Sequence, residues 1–147
     1  MRALPERLPN ITKEDVQKIR EHIDGTVPDC LVGNYRPLVA GLELPDPNDR
    51  RVLAAAIRCG AQVIVTCDTA DFPSERLAPY DIEAQHPDTF VMYQKEENTV
   101  AVLNHLKEAR LTYNQPPLSV EDFIARFRSN EMPLTAAWLE EARFLLE

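Results

Sequence analysis

The chain has 147 residues, of which 44% are hydrophobic and 27% are charged, so it can bury a sizeable core and does not have the composition of a disordered protein. Its formal net charge of −8 argues against a general nucleic-acid-binding surface, because such surfaces neutralise phosphates with Lys and Arg. The three cysteines are scattered without a CxxC pair, and no apolar run is long enough to cross a membrane, which predicts a protein of the reducing cytoplasm without membrane insertion.

The first predicted helix begins after Thr12, a good N-cap with Asp15 three residues later. Its apolar stripe consists of Val16, Ile19 and Ile23. We therefore expect this helix to pack one face against the domain. Downstream, 30–32 (CLV) is a candidate short strand, and the Gly and Pro content of 34–45 predicts a loop.

A central helix is predicted from Asp46 to Gly60. Asp46 is a suitable N-cap, Pro47 fits the first helical position, and Gly60 is a suitable stop. Asp49 stands at the N-terminal end of the apolar stripe of this helix, which comprises Val52, Leu53, Ala56 and Ile57. We therefore expect the Asp49 carboxylate to point inward and not to bulk water.

A β-branched strand, of the kind that is covered on both faces, is predicted at 62–66 (QVIVT), and Asp68 follows it almost immediately. In an open α/β sheet, Asp49 and Asp68 would both lie at the carboxyl edge, where ligands bind. Two carboxylates at one place repel unless a proton or a cation joins them, and oxygen ligands suit Mg²⁺ or Mn²⁺. The alternative interpretation is that Asp49 only caps a helix and Asp68 only forms a turn.

The rest of the chain is predicted to be mainly helical. A last short strand is expected at 82–84, and Asp71 is either a loop hydrogen-bonding residue or a further acid of the site. Helices are predicted to begin at three residues, Asn98, Ser119 and Pro133. The last helix has a broad apolar face, which predicts either core packing or a protein interface. We interpret 1–147 as a single domain in which about 98–147 is a helical C-terminal extension.

An ordered set of short motifs resembles one branch of the PIN domain family, the VapC-like toxins. The motifs lie within residues 34–90, with weaker similarity at 117–121. They are 35–38 (YRPL), 41–42 (GL), 44–50 (LPDPNDR), 52–56 (VLAAA), 65–66 (VT), Asp68, 71–73 (DFP) and 82–87 (IEAQHP).

The resemblance implies an α/β fold of three layers, with a short parallel sheet flanked by helices. It also implies a metal-dependent endoribonuclease that is paired with an antitoxin. By the same resemblance, Asp49 and Asp68 would bind Mg²⁺ or Mn²⁺, and Asp71 would support them as a catalytic acid. Thr66 and Arg50 would contact the RNA substrate, Arg50 through a phosphate.

The family fold opens with a central strand that carries an aspartate, and a glutamate follows in the next helices. No such strand is expected in 1–9, which has no β-branched run. Without that strand, buried backbone groups of the sheet would lack partners. We therefore expect a truncated PIN-like fold whose missing part comes from a complementary polypeptide or from another copy in a homo-oligomer. One alternative is a catalytically silent PIN remnant that acts as an antitoxin or a regulatory protein-binding module. Another is that the chain is a fragment of a longer protein that has an ordinary PIN site.

Overall fold

The computed structural model describes residues 12–27 and 30–147, except for the side chain of Lys13. Residues 1–9, in which no opening strand was expected, lie outside the described residues. The described helices are α1 (Lys13–Thr26), α2 (Arg36–Val39), α3 (Arg50–Cys59), α4 (Ser74–Leu77), α5 (Pro87–Thr112), α6 (Val120–Ser129) and α7 (Pro133–Glu141). The strands are β1 (Val63–Val65) and β2 (Glu83–Gln85), and short 3₁₀ turns occupy Thr69–Asp71, Ala78–Tyr80 and Arg143–Leu145.

β1 and β2 form a two-stranded parallel sheet. The Glu83 N–H donates to the Gln62 carbonyl at 3.0 Å, and the Thr66 N–H donates to the Gln85 carbonyl at 2.9 Å. Because both strands advance in the same direction between these two bonds, the pairing is parallel. The predicted α/β class with a short parallel sheet and flanking helices is confirmed.

The described chain separates into two compact units. The first unit contains the described residues up to Ile64 together with Asp68–Ala84, and the second contains Val65–Cys67 and Gln85–Glu147. Each unit has its own apolar core. The core of the first consists of Leu42, Leu44, Leu53, Ala54, Ala56, Ile64, Phe72, Leu77 and Ile82. The core of the second consists of Leu103, Val120, Phe123, Ile124, Ala136, Trp138, Leu139, Ala142 and Leu146. The single-domain interpretation remains a prediction.

Local capping signals were predicted correctly at several helix ends. Thr12 Oγ1 accepts from the Asp15 N–H at 3.2 Å, and the Asp15 carboxylate accepts from the Thr12 N–H at 3.0 Å, which completes the capping box of α1. Ser119 caps α6 by accepting from the Asp122 N–H at 3.0 Å. Gly60 ends α3 with a φ of 69°, a conformation that glycine adopts without strain.

Other local predictions were wrong. The segment 30–32 forms no strand, and Leu31 is exposed. The apolar stripe of α1 does not pack as expected, since Ile19 and Ile23 are exposed and neither belongs to the core of the first unit. The predicted loop at 34–45 contains α2. β1 is not covered on both faces, because Val65 is 45% exposed.

α5 is two helices joined at Asn98, whose φ of −155° and ψ of 81° are not helical. Asn98 Oδ1 accepts from the Ala101 N–H at 3.0 Å, so Asn98 caps the second half as predicted. On the other side of the break, the Thr99 hydroxyl donates to the Lys95 carbonyl at 2.8 Å. Among the described helices, none is long and apolar enough to cross a membrane.

The second unit is tied together by two side chains that bond to distant backbone groups. Arg110 Nε and Nη2 donate to the Leu146 carbonyl at 3.1 and 2.8 Å, and Nη1 donates to the Leu118 carbonyl at 2.8 Å. The second side chain is Asp88, which is 4% exposed. Its carboxylate accepts from the Leu134 N–H at 2.9 Å, the Thr135 N–H at 2.7 Å and the Thr135 hydroxyl at 2.6 Å. Asp88 therefore caps the N-terminus of α7 from the first turn of α5.

The apolar side chains of α7 and of the segment that follows it are partly core and partly exposed. Trp138, Leu139 and Leu146 are buried, which confirms the core-packing interpretation for these residues. Leu134 is 57% exposed and Phe144 is 67% exposed. The alternative interpretation, a protein interface, remains a prediction that concerns the exposed part alone.

We predict that Asp88→Asn lowers the free energy of unfolding by about 2 kcal/mol, because hydrogen bonds to a charged, buried acceptor are lost or weakened. The measurement is urea unfolding followed by far-UV circular dichroism. Asp122→Asn is the matched control, since Asp122 is exposed and its carboxylate accepts from the Ser119 hydroxyl at 2.8 Å. Equal losses for the two variants would contradict the capping role of Asp88.

We also predict that this stabilisation depends on pH. Burial alone would raise the pKa of Asp88, but the hydrogen bonds from Thr135 and Leu134 outweigh burial and hold the pKa below its usual value. A depressed pKa means that the stabilisation is present above the unfolded value of about 3.9 and is lost as the pH falls through the folded value. The stability difference between wild type and Asp88→Asn should therefore shrink below about pH 4. A difference that stays constant in acid would refute this assignment.

Candidate functional site

Asp49 is fixed by a turn that precedes α3. The Asp46 carboxylate accepts from the Asn48 N–H at 2.8 Å and from Asn48 Nδ2 at 3.0 Å, and the Asp49 N–H donates to the Asp46 carbonyl at 3.1 Å. The backbone hydrogen bond from Asn48 lowers the pKa of Asp46. The Asp49 carbonyl then accepts from Val52 and Leu53, which begins the helix.

The start of α3 differs from the prediction. The helix begins at Arg50 and its N-cap is Asp49, whereas the sequence pattern placed the cap at Asp46. The physical reason is that the Asp46 carboxylate bonds to Asn48 two residues on, which makes an Asx-type turn instead of a helix cap. The inward orientation of Asp49 is confirmed, since Asp49 is 4% exposed.

Asp68 and Asp71 lie in one short turn after β1. The Asp71 N–H donates to the Asp68 carbonyl at 3.1 Å, and the Phe72 N–H donates to the Thr69 carbonyl at 3.1 Å. Phe72 is buried and belongs to the core of the first unit, so it anchors this turn to that core. Asp68 is exposed and Asp71 is half-buried, so both are more open to solvent than Asp49.

Thr66 and Arg50, the two predicted substrate-binding residues, lie in different environments. Thr66 is half-buried at the end of β1, where its N–H is held by the Gln85 carbonyl. Arg50 is the first residue of α3 and is half-buried. Its Nε is shielded from solvent and has no hydrogen-bond acceptor among the described residues.

Asp49, Asp68 and Asp71 all belong to the first unit. Within the part of the chain that the structure describes, however, no group of three or more His, Cys, Asp or Glu side chains is arranged to hold a metal ion. Hard cations such as Mg²⁺ need several oxygen ligands, and their affinity rises with the number of charged ones. The described carboxylates do not by themselves fit a resident divalent cation. The site roles of these acids, of Arg50 and of Thr66 remain predictions.

Sequence reasoning missed a cleft of about 410 Å³ in the first unit. The charged residues that border it are Glu43, Arg50, Glu75 and Arg76. Arg76 Nη1 donates to Glu43 Oε2 at 2.6 Å. No local pattern could have signalled this pair, since its members are 33 residues apart in sequence.

The comparisons with known proteins agree with each other. The VapC50 C-terminal domain family matches residues 87–141. A protein of Mycobacterium tuberculosis (strain ATCC 25618 / H37Rv), named "Putative ribonuclease VapC50", is 42% identical over 88 residues. This match covers 58% of the present chain and 50% of the relative, so the matched region spans about half the length of that protein. No solved structure gives a significant match.

Proposed function

Starting from the VapC-like PIN toxin family that both matches support, we propose that this chain is the ribonuclease toxin of a toxin–antitoxin pair. The observation that carries the proposal is the 42% identity to a relative whose name is that of a ribonuclease. The burial of Asp49 at the start of α3 adds support, because an inward carboxylate is an unusual feature of a helix that only needs a cap.

The reaction is hydrolysis of RNA phosphodiester bonds. Asp49 and Asp68 bind Mg²⁺ or Mn²⁺ in this proposal, Asp71 supports them, and Arg50 and Thr66 contact the RNA. Further acids complete the metal site from outside the described residues, in a complementary PIN-fragment protein, in another copy of this chain or in a further segment of a longer protein. This requirement follows from the lack of a group of three ligands among the described residues.

The partners are an RNA substrate and an antitoxin. We place the protein in the cytoplasm, where thiols stay reduced. Support comes from Cys30, Cys59 and Cys67, which are free thiols.

We predict that the chain alone binds Mn²⁺ weakly, with a Kd of about 1 mM or higher, because few charged ligands converge in the described part. Isothermal titration calorimetry should show a small heat that is lost in both Asp49→Asn and Asp68→Asn. Asp122→Asn, in the second unit, is the control and should bind as wild type does. Micromolar affinity that survives both site substitutions would exclude this metal site.

We predict that RNA cleavage requires both a divalent cation and Asp49. The assay follows end-labelled structured RNAs on denaturing gels, with the chain alone and with any protein that co-purifies with it. Asp49→Asn should slow cleavage by at least about 100-fold, since even changes to groups behind a metal ligand cost about 10- to 100-fold. EDTA should abolish cleavage, and Asp122→Asn should leave the rate unchanged. Cleavage that persists in Asp49→Asn would disprove the assignment.

The second candidate function is a catalytically silent module that binds a protein as an antitoxin or regulator. The observation in its favour is again the lack of three converging ligands among the described residues. It predicts a stable complex with a protein partner and no cation-dependent cleavage, even after that partner is added. The same cleavage assay therefore separates the two functions.

A further inference from the structure

The cleft of about 410 Å³ in the first unit is bordered by charges of both signs. Arg50 and Arg76 border it together with Glu43 and Glu75. Two arginines and two glutamates give the cleft a formal charge of zero as long as both glutamates face it. Elsewhere the chain is strongly acidic, with a net charge of −8, so two arginines on one cleft provide a local site for an anion.

Arg50, which borders this cleft, has unused donor capacity. Its Nε is buried and has no acceptor among the described residues. A buried donor without a partner is costly, because it has lost its hydrogen bond with water and has not formed one within the protein. A ligand oxygen that reached this guanidinium after a small rotation of the side chain would remove that cost.

Arg76 is held in a way that is easy to exchange. Its ion pair with Glu43 is short, at 2.6 Å, but the side chains are 50% and 72% exposed. Exposed ion pairs contribute little to stability because water screens them and two long side chains lose entropy. Glu43 can therefore turn to solvent when a stronger acceptor enters the cleft.

A phosphate group is the acceptor that matches this geometry. Guanidinium groups bind phosphate oxygens through paired, charge-assisted hydrogen bonds, which are stronger than bonds to neutral acceptors. A phosphodiester also presents its oxygens to two arginines at once. Arg50, which borders the cleft, also follows the candidate acid Asp49 directly in the sequence.

We infer that this cleft binds a phosphate group of RNA between Arg50 and Arg76, and that the phosphate displaces Glu43 from Arg76. Arg76 is then an RNA-binding residue, and Glu43 is an internal competitor that weakens RNA binding. The inference rests on the proposed function for its choice of ligand. It extends the expected contact between Arg50 and a phosphate by a second arginine, Arg76, and by the competing carboxylate of Glu43.

The test measures RNA binding without cleavage. A fluorescein-labelled, 2′-O-methyl oligoribonucleotide is titrated with the full chain in EDTA, and fluorescence anisotropy is recorded over a range of salt concentrations. The variants are Arg76→Gln and Glu43→Gln. Their controls are Arg128→Gln and Glu140→Gln, from an ion pair of the second unit with an N to O distance of 3.2 Å and side chains that are 56% and 43% exposed. Each control changes the net charge of the chain by the same amount as the variant that it matches.

Arg76→Gln should weaken binding by roughly tenfold, as expected for loss of one charge-assisted contact. It should also reduce the slope of log K against log salt by about 0.7 to 1, the value for one phosphate contact. Glu43→Gln should strengthen binding, because it frees Arg76. Arg128→Gln and Glu140→Gln should bind as the wild type does.

Three results would overturn the inference: equal effects of Arg76→Gln and Arg128→Gln, unchanged or weaker binding by Glu43→Gln, or no binding by the wild type at low salt. The cleavage assay with a divalent cation judges the proposed function separately. If cleavage depends on Asp49 but the cleft variants bind RNA as the wild type does, the ribonuclease function is retained and the phosphate subsite is refuted. Binding that follows the predicted order, with no cleavage even after a co-purifying partner is added, would support the subsite and remove the ribonuclease function.

Discussion

Each unit buries a carboxylate, which is costly to remove from water while it is ionised. Asp49 and Asp88 are each 4% exposed, and an ionised carboxylate that leaves water needs donors or a cation nearby. Asp88 meets this requirement by accepting three hydrogen bonds from the start of α7, so its carboxylate stabilises the second unit. Asp49 lies at the start of α3 in the unit that also contains Asp68 and Asp71, and this placement makes its charge the centre of the proposed site.

The two arginines of the cleft extend this contrast. Arg110 donates only to backbone carbonyls of the second unit, so its guanidinium group stabilises the fold of that unit. Arg76 instead faces a carboxylate that is largely exposed, and Arg50 retains a buried donor without an acceptor among the described residues. Cations with incomplete or replaceable partners are suited to binding a ligand, whereas cations with complete partners are suited to structure.

Features that depend on neighbouring residues could be predicted from the sequence. Thr12, Asn98 and Ser119 each bond to an N–H three residues on, and Gly60 needs only its own conformational freedom. Features that depend on distant residues could not. The Asp88 contact with Thr135 spans 47 positions, and no periodicity connects its ends. The inward orientation of Asp49 could be predicted from the helix period. The turn at Asp46 could not be predicted, because Asx turns and helix caps use the same residue types.

The break in α5 gives the longest helix an internal boundary. Side chains bond to the backbone at the break, since Asn98 Oδ1 accepts from the Ala101 N–H and the Thr99 hydroxyl donates to the Lys95 carbonyl. Each half therefore has its own ends and its own macrodipole, instead of one dipole along Pro87–Thr112. Amide hydrogens next to the break should exchange with solvent sooner than those in the middle of either half, so that two protected blocks replace one. We therefore expect the two halves of α5 to open independently of each other.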